Sequence, residues 1–174
     1  ANQFWGISIL QSDTLMIAGG TADNGGFILK KDNEMNNMSG CGDGYVAGIL
    51  NEDGAVIECN TPSIMYQDAK NMRSMFLFVP DDRYDGKRPM QVKDSFVYVG
   101  YSNLWRTTAS RLRRGDNLMT KFSDIPIFKN PGGGIRNNVM RSFSISDKNS
   151  GVISFRDPNW GDKDNVGKLF FSEN

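Results

Sequence analysis

The stretch Cys41-Gly-Asp-Gly-Tyr-Val-Ala-Gly-Ile-Leu-Asn-Glu-Asp-Gly-Ala-Val-Ile-Glu-Cys59 decides how the chain is read. Two short apolar runs, 45–50 and 55–59, flank Asn51-Glu52-Asp53-Gly54. The Asp-Gly pair supplies the positive φ of a tight turn, so the segment is predicted to be a β-hairpin. With pairing centred on that turn, Cys59 falls opposite the middle of the first strand. Gly42-Asp43-Gly44 must then fold back to bring Cys41 to it, and two glycines make that bend cheap. Cys41 and Cys59 are the only cysteines, and a bridge between them implies an oxidising compartment, hence a secreted or cell-surface protein. The competing reading is two buried free thiols in a cytosolic protein. Two cysteines with no histidine cannot make a usual zinc shell.

Outward from the hairpin the pattern repeats. Gly, Asn and Asp clusters (18–26, 130–134 and 157–165) separate short apolar or alternating runs at 6–10, 14–17, 27–29, 75–79, 95–101, 125–128, 141–145, 151–155 and 168–171. Short strands at this spacing predict a predominantly β fold, a sandwich or barrel-like mixed sheet, with one or two short helices, α+β overall. One helix is expected near 62–74, where Thr61-Pro62 reads as a cap and Met65, Ala69, Met72 and Phe76 recur at helical spacing. A second is expected after Ser102-Asn103, with Trp105, Ala109 and Leu112 on one face and a stop at Gly115. The composition near Cys59 to Pro62 suggests a small unit, 1–60, joined to a larger one, 61–174, with a single domain as the alternative.

The 174 residues carry 20 basic and 20 acidic side chains and no histidine. Zero net charge gives no field to steer the chain toward nucleic acid. Lack of histidine removes Ser-His-Asp and Cys-His catalysis, His-ligated zinc and the usual physiological-pH switch. No apolar run approaches the ~18 residues that span a bilayer, so no membrane insertion is expected, and no signal-peptide order opens the chain.

The segment from Cys41 to Cys59 resembles the cysteine-bracketed hairpins in the C-terminal, receptor-binding parts of type IV pilus tip adhesins and tail-fibre-like bacterial adhesins. It covers about a tenth of the chain. The resemblance implies an extracellular recognition module at the tip of a fibre, displayed as a homotrimer, with a glycan or a cell-surface protein as receptor. The apolar N-terminal helix of pilins is absent, so under this resemblance the chain is a distal part.

Two clusters carry the right chemistry for such binding. In the C-terminal loop, Arg156, Asp157, Asn159 and Trp160 combine an indole face for a pyranose ring with groups that hydrogen-bond its hydroxyls. The competing reading folds Trp160 back onto the domain. In the second cluster Tyr98, Asn103 and Arg106 are the contact candidates, and Trp105 belongs to the core. Arg106, Arg111, Arg113 and Arg114 suit a sialic acid carboxylate, a sulfated glycan or an acidic protein, or else simply complement a helix C-terminus.

Metal and nucleotide motifs do not complete. Asp81-Asp82-Arg83-Tyr84-Asp85-Gly86 starts like an EF-hand loop, but Arg83 stands at a ligand position and no glutamate follows at the required distance. Asp157, Asp162, Asp164 and Asn165 offer enough oxygens for a looser calcium site, the one cofactor the sequence admits, against ordinary turn chemistry. Asn130-Pro-Gly-Gly-Gly-Ile-Arg136 lacks the Lys-Ser/Thr end of a phosphate loop. Asn37-Met38-Ser39 is a formal glycosylation acceptor.

Three functions remain: a recognition domain, a structural pilus or fibre module, and a glycan hydrolase working through two carboxylates. The four glutamates are Glu34, Glu52, Glu58 and Glu173, and strand alternation predicts Glu58 on the polar face of its strand.

Overall fold

A computed structural model describes residues 3–10, 15–30, 34–38, 40–50, 54–60, 63–71, 73–78, 88–100, 104–116, 120–121, 139–147, 150–156 and 169–172. The chain is mainly β, as the sequence predicts, with one short helix among the described residues.

The strands run as antiparallel meanders, each sheet completed before the next begins. The first sheet is β1 (Phe4–Leu10), β2 (Met16–Thr21), β3 (Gly25–Lys30) and β4 (Met35–Met38). The second is β5 (Gly44–Ile49), β6 (Gly54–Cys59), β7 (Ser63–Asp68) and β8 (Ser74–Phe78). The third is β9 (Met90–Lys93), β10 (Phe96–Gly100), β11 (Leu104–Thr108) and β12 (Thr120–Lys121), with helix α1 (Ala109–Arg113) leading from β11 toward β12. The fourth has β13 (Val139–Asp147), β14 (Ser150–Arg156) and β15 (Leu169–Ser172). The opening strand of each sheet lies against the opening strand of the next, β1 on β5, β5 on β9 and β9 on β13. The sheets therefore follow one another face to face around an inner line of first strands, as the blades of a propeller do.

Each seam is an apolar layer built by strand alternation. Register pairs Ala18 with Ile28 and Ala55 with Gln67, so side chains two apart share a face. Met16, Ala18, Ile28 and Met38 of the first sheet pack on Ile49, Ala55, Ile57 and Met65 of the second. The opposite face of the second sheet, with Leu50, Val56, Ile64, Tyr66 and Leu77, packs on Met90, Val97, Val99 and Trp105 of the third, and Ala109 and Leu112 of α1 close that layer. The second sheet is therefore buried on both faces, and β6 is buried along its whole length.

That double burial corrects two expectations. No helix forms over 62–74: β7 and β8 occupy the segment, paired from Ser63↔Phe78 to Gln67↔Ser74. A strand covered on both faces is apolar throughout and loses the polar alternation that would have marked it. Likewise Glu58 is not on a solvated face; it is 1% exposed, and its Oε1 accepts from the backbone N–H of Arg88, itself buried.

The Cys41–Cys59 disulfide forms, with Cα atoms 5.0 Å apart and both residues buried in the first seam. A register shift between Gly44 and Ala47 puts Cys59 opposite Gly44, at the start of β5 rather than its middle. The bridge therefore ties the link between the first two sheets to β6. Around it the sheets approach backbone to backbone. A Cβ on Gly44 would run into the Gly25 carbonyl, and one on Gly20 into the carbonyls of Gly44 and Tyr45. Asp43 locks this approach: its carboxylate accepts from Asp23 N–H at 2.6 Å and its carbonyl from Asn60 N–H at 2.8 Å. The expected unit boundary after residue 60 falls within the β6–β7 hairpin, whose Glu58 pairs with Ile64.

Candidate ligand-binding surface

The third sheet positions the first group of expected contacts. Cross-strand register sets Tyr98 opposite Arg106 on one side and Gln91 on the other, on the face away from Val97 and Val99. Gln91 fastens that face to the fourth sheet: its amide donates to the Ile145 carbonyl at 3.0 Å and accepts from Ile145 N–H at 2.7 Å. Tyr98 is 1% exposed, so its ring is enclosed at this seam and offers no open surface. Arg106 is half-buried, its guanidinium 5.3 Å from the centroid of the Phe96 ring, which lies 5.9 Å from that of Tyr98. This stack presents a cation held by an aromatic face. Trp105 lies in the core layer, as expected, though it is carried by β11 rather than by a helix.

The helix begins at Ala109, later than the start after Ser102-Asn103 that the sequence spacing indicates. Thr108 is its N-cap, accepting from Arg111 N–H at 3.3 Å, and it stops at Gly115 as predicted. Gly115 takes φ 85° and donates to Leu112 O, while Asp116 N–H reaches back to Arg111 O, the paired bonds of a Schellman motif. Arg111 is bound to Asp116 at 2.7 Å, and Arg114 forms the C-cap.

Of the second group only Arg113 was read from the sequence. Between the β7–β8 turn and the end of α1 lies a hollow lined by Tyr66, Asp68, Asn71, Arg73, Arg113 and Leu112, among others. The turn that shapes it is held by Asp68, whose Oδ1 accepts from the N–H groups of Lys70 and Asn71, both at 2.8 Å, while its own N–H donates to Arg73 O. The side chains of Asp68, Asn71, Arg73 and Arg113 thus border one concavity over the buried Tyr66 and Leu112. The run Asp68-Ala-Lys-Asn71 carries turn chemistry that could have flagged it, but the helical spacing of 62–74 hid the turn.

The remaining expected contacts are placed only in part. Arg156 ends β14 with its Cα opposite Val139; Asn103, Asp157, Asn159 and Trp160 lie outside the described residues, as do the calcium candidates Asp157, Asp162, Asp164 and Asn165. Among the described residues no three His, Cys, Asp or Glu side chains cluster to hold a metal, and no helix is long and apolar enough to cross a membrane. Of the carboxylates weighed for hydrolysis, Glu34 bonds Lys30 at 3.7 Å, Glu58 is sealed in a seam, and Glu52 and Glu173 lie outside the described residues.

No protein-family model and no curated protein matches the chain. Among solved structures it is similar to the computationally designed Ika4 protein, with a TM-score of 0.59 and 8% identity over 98% of this chain and 92% of that one. The computationally designed Ika8 protein matches with a TM-score of 0.57 at 8% identity, again over 98% of this chain but only 46% of its own. The N-terminal domain of Nup159 gives 0.51 at 11% identity, over 94% of this chain and 43% of that domain's chain. At such identities the likeness is one of fold. It places the succession of antiparallel sheets among propeller-like architectures and leaves the site to be argued from its own side chains.

Proposed function

We propose that the chain is an extracellular recognition domain that binds a glycan or cell-surface receptor, as a surface or fibre-tip adhesin does. The observation that carries this reading is the hollow between the second and third sheets, where Tyr66, Asp68, Asn71, Arg73 and Arg113 converge. A shallow concavity with an apolar floor and a few directional polar groups is the usual form of a weak, specific small-ligand site. Two guanidinium groups against one carboxylate favour an anionic ligand, such as a sugar carrying a carboxylate or sulfate. The disulfide supports an oxidising location, secreted or cell-surface. Arg106, stacked on Phe96, is a further cation for such a ligand, and Asn103, Arg156, Asp157, Asn159 and Trp160 complete the proposed contacts. Tyr98 serves this reading as the buried support of the Phe96 stack.

A glycan array probed with the purified chain and with Arg113→Ala and Trp160→Ala variants tests the proposal. Saturable binding to an acidic glycan class, weakened at least tenfold by Arg113→Ala, is the expected result. Binding lost only with Trp160→Ala moves the site to the C-terminal loop. A blank array from folded protein removes the glycan and leaves a protein receptor.

The structural reading, a pilus or fibre module, is favoured by a different observation. The outer face of the first sheet carries large exposed apolar side chains.

A further inference from the structure

Two β-bulges fall side by side in the first seam. On β1, Phe4 pairs with Thr21 and Gly6 with Gly20, so Trp5 is the extra residue of a bulge. On β5, Gly44 pairs with Cys59 and Ala47 with Ile57, so Tyr45 and Val46 together stand against Glu58. A bulge turns a side chain out of the alternation of its strand. Here the two bulges bring Trp5 and Tyr45 together, with ring centroids 5.5 Å apart and planes at 81°. The contact fixes the indole, yet Trp5 stays 42% exposed, although tryptophan is highly buried on average.

Hydrogen bonding adds a polar flank, and the surrounding backbone holds it rigidly. The Tyr45 hydroxyl donates to Asn60 Oδ1 at 3.3 Å, and Asn60 is exposed directly after β6. Cys59 precedes Asn60 and pairs with Gly44, which precedes Tyr45, so the disulfide to Cys41 steadies both residues. Asn60 N–H donates to Asp43 O at 2.8 Å, and Asp43 forms a β-bridge with Gly25 of the first sheet. Gly6, beside Trp5, lets the β5 backbone come close: a Cβ there would stand 2.7 Å from the Tyr45 carbonyl oxygen. Groups held in place before a ligand arrives lower the cost of binding it. All of this lies within the packed seam between the first and second sheets.

The chemistry of the ligand follows from the three side chains. Indole and phenol surface suits the apolar CH face of a pyranose. With Asn60 Oδ1 accepting from the phenol, the Asn60 amide nitrogen is a donor and the phenol oxygen an acceptor, and a sugar hydroxyl answers such a pair by accepting and donating at once. None of the three side chains is charged, in contrast to the arginine-lined hollow at the second seam. We propose that Trp5, Tyr45 and Asn60 form a binding site for a neutral hexopyranose. It shares no residue with that hollow and does not depend on the ligand assigned there.

An NMR titration of the whole chain tests it. The indole N–H resonance of Trp5, identified by its loss in Trp5→Phe, is followed as the methyl glycosides of glucose, galactose, mannose and N-acetylglucosamine are added in turn. The expected result is a saturable shift with at least one of these sugars, with binding about tenfold weaker in Trp5→Ala and in Asn60→Ala and unchanged in Arg113→Ala. Near-UV circular dichroism shows whether each variant folds; if Trp5→Ala does not, Asn60→Ala decides, because it keeps the backbone N–H that meets Asp43. Folded protein that binds none of these sugars overturns the proposal, and so does binding indifferent to Asn60→Ala. Saturation by tetramethylammonium with no response to the sugars overturns it as well, since the rings then hold a cation. Sugar binding lost in Arg113→Ala but kept in Asn60→Ala moves the ligand to the hollow and overturns the separate site.

Discussion

Glu58 shows how much one side chain can hide. Its neighbours Ile57 and Cys59 point to one seam and Glu58 to the other, where its carboxylate receives the buried Arg88 N–H. A backbone donor buried without an acceptor costs about 1–3 kcal/mol, so Glu58→Ala is expected to lower unfolding free energy by about that amount. Glu58→Gln keeps an acceptor oxygen and should stay nearer the parent. Urea unfolding of the three proteins decides it; equal loss for Gln and Ala would show that charge, not the acceptor, matters here. The sequence could not reveal this role, because alternation assigns a residue to a face without saying whether that face is wet. Asp43 was legible only as a bend residue for the same reason: its partners, Asp23 and Asn60, are 20 and 17 positions away and are brought to it by the packing of two sheets.

At the scale of elements, what could be read depended on whether local signals were free of tertiary override. β1, β3, β5, β6, β8, β10 and β13 to β15 each correspond to a short apolar run, and the Gly115 stop was written in the chain. β7 was misread because a strand covered on both faces has no period of two, so the chance spacing of Met65, Ala69 and Phe76 prevailed. β11 was misread in the same sense. Trp105 and Leu112 share one apolar layer, but a strand carries the first and a helix the second. The switch occurs at Thr108, whose extended backbone, φ −116° and ψ 152°, ends β11 while its hydroxyl caps α1. Thr108→Ala should therefore cost about 1 kcal/mol, with Thr108→Ser close to the parent, read as shifts in the denaturation midpoint. Since α1 forms one wall of the hollow with Arg113, the Ala variant is also expected to weaken any ligand held there. Retained affinity at lowered stability would place the ligand elsewhere.

For the whole molecule, the seams are what make four small meanders one structure, and the first seam differs from the second in being covalently reinforced. The second has Trp105, Tyr66, Leu112 and Leu77 to exclude water, whereas the first is built of smaller residues, among them Ala18, Ala55 and Ala69, around closely approaching glycine backbones. Fewer apolar atoms are buried there, so the Cys41–Cys59 bridge carries more of the cohesion. Its sequence separation of 18 corresponds to about 3 kcal/mol in the chain-entropy view of cross-links. The paired Cys41→Ala/Cys59→Ala variant is thus expected to unfold at markedly lower urea, and hydrogen exchange should show where. Protection in β1 to β6 should fall well before that of β9 to β11, because the second seam contains no part of the bridge. Uniform loss across all four sheets would instead mean that the seams fold as one cooperative unit, with the bridge acting on the unfolded chain as a whole.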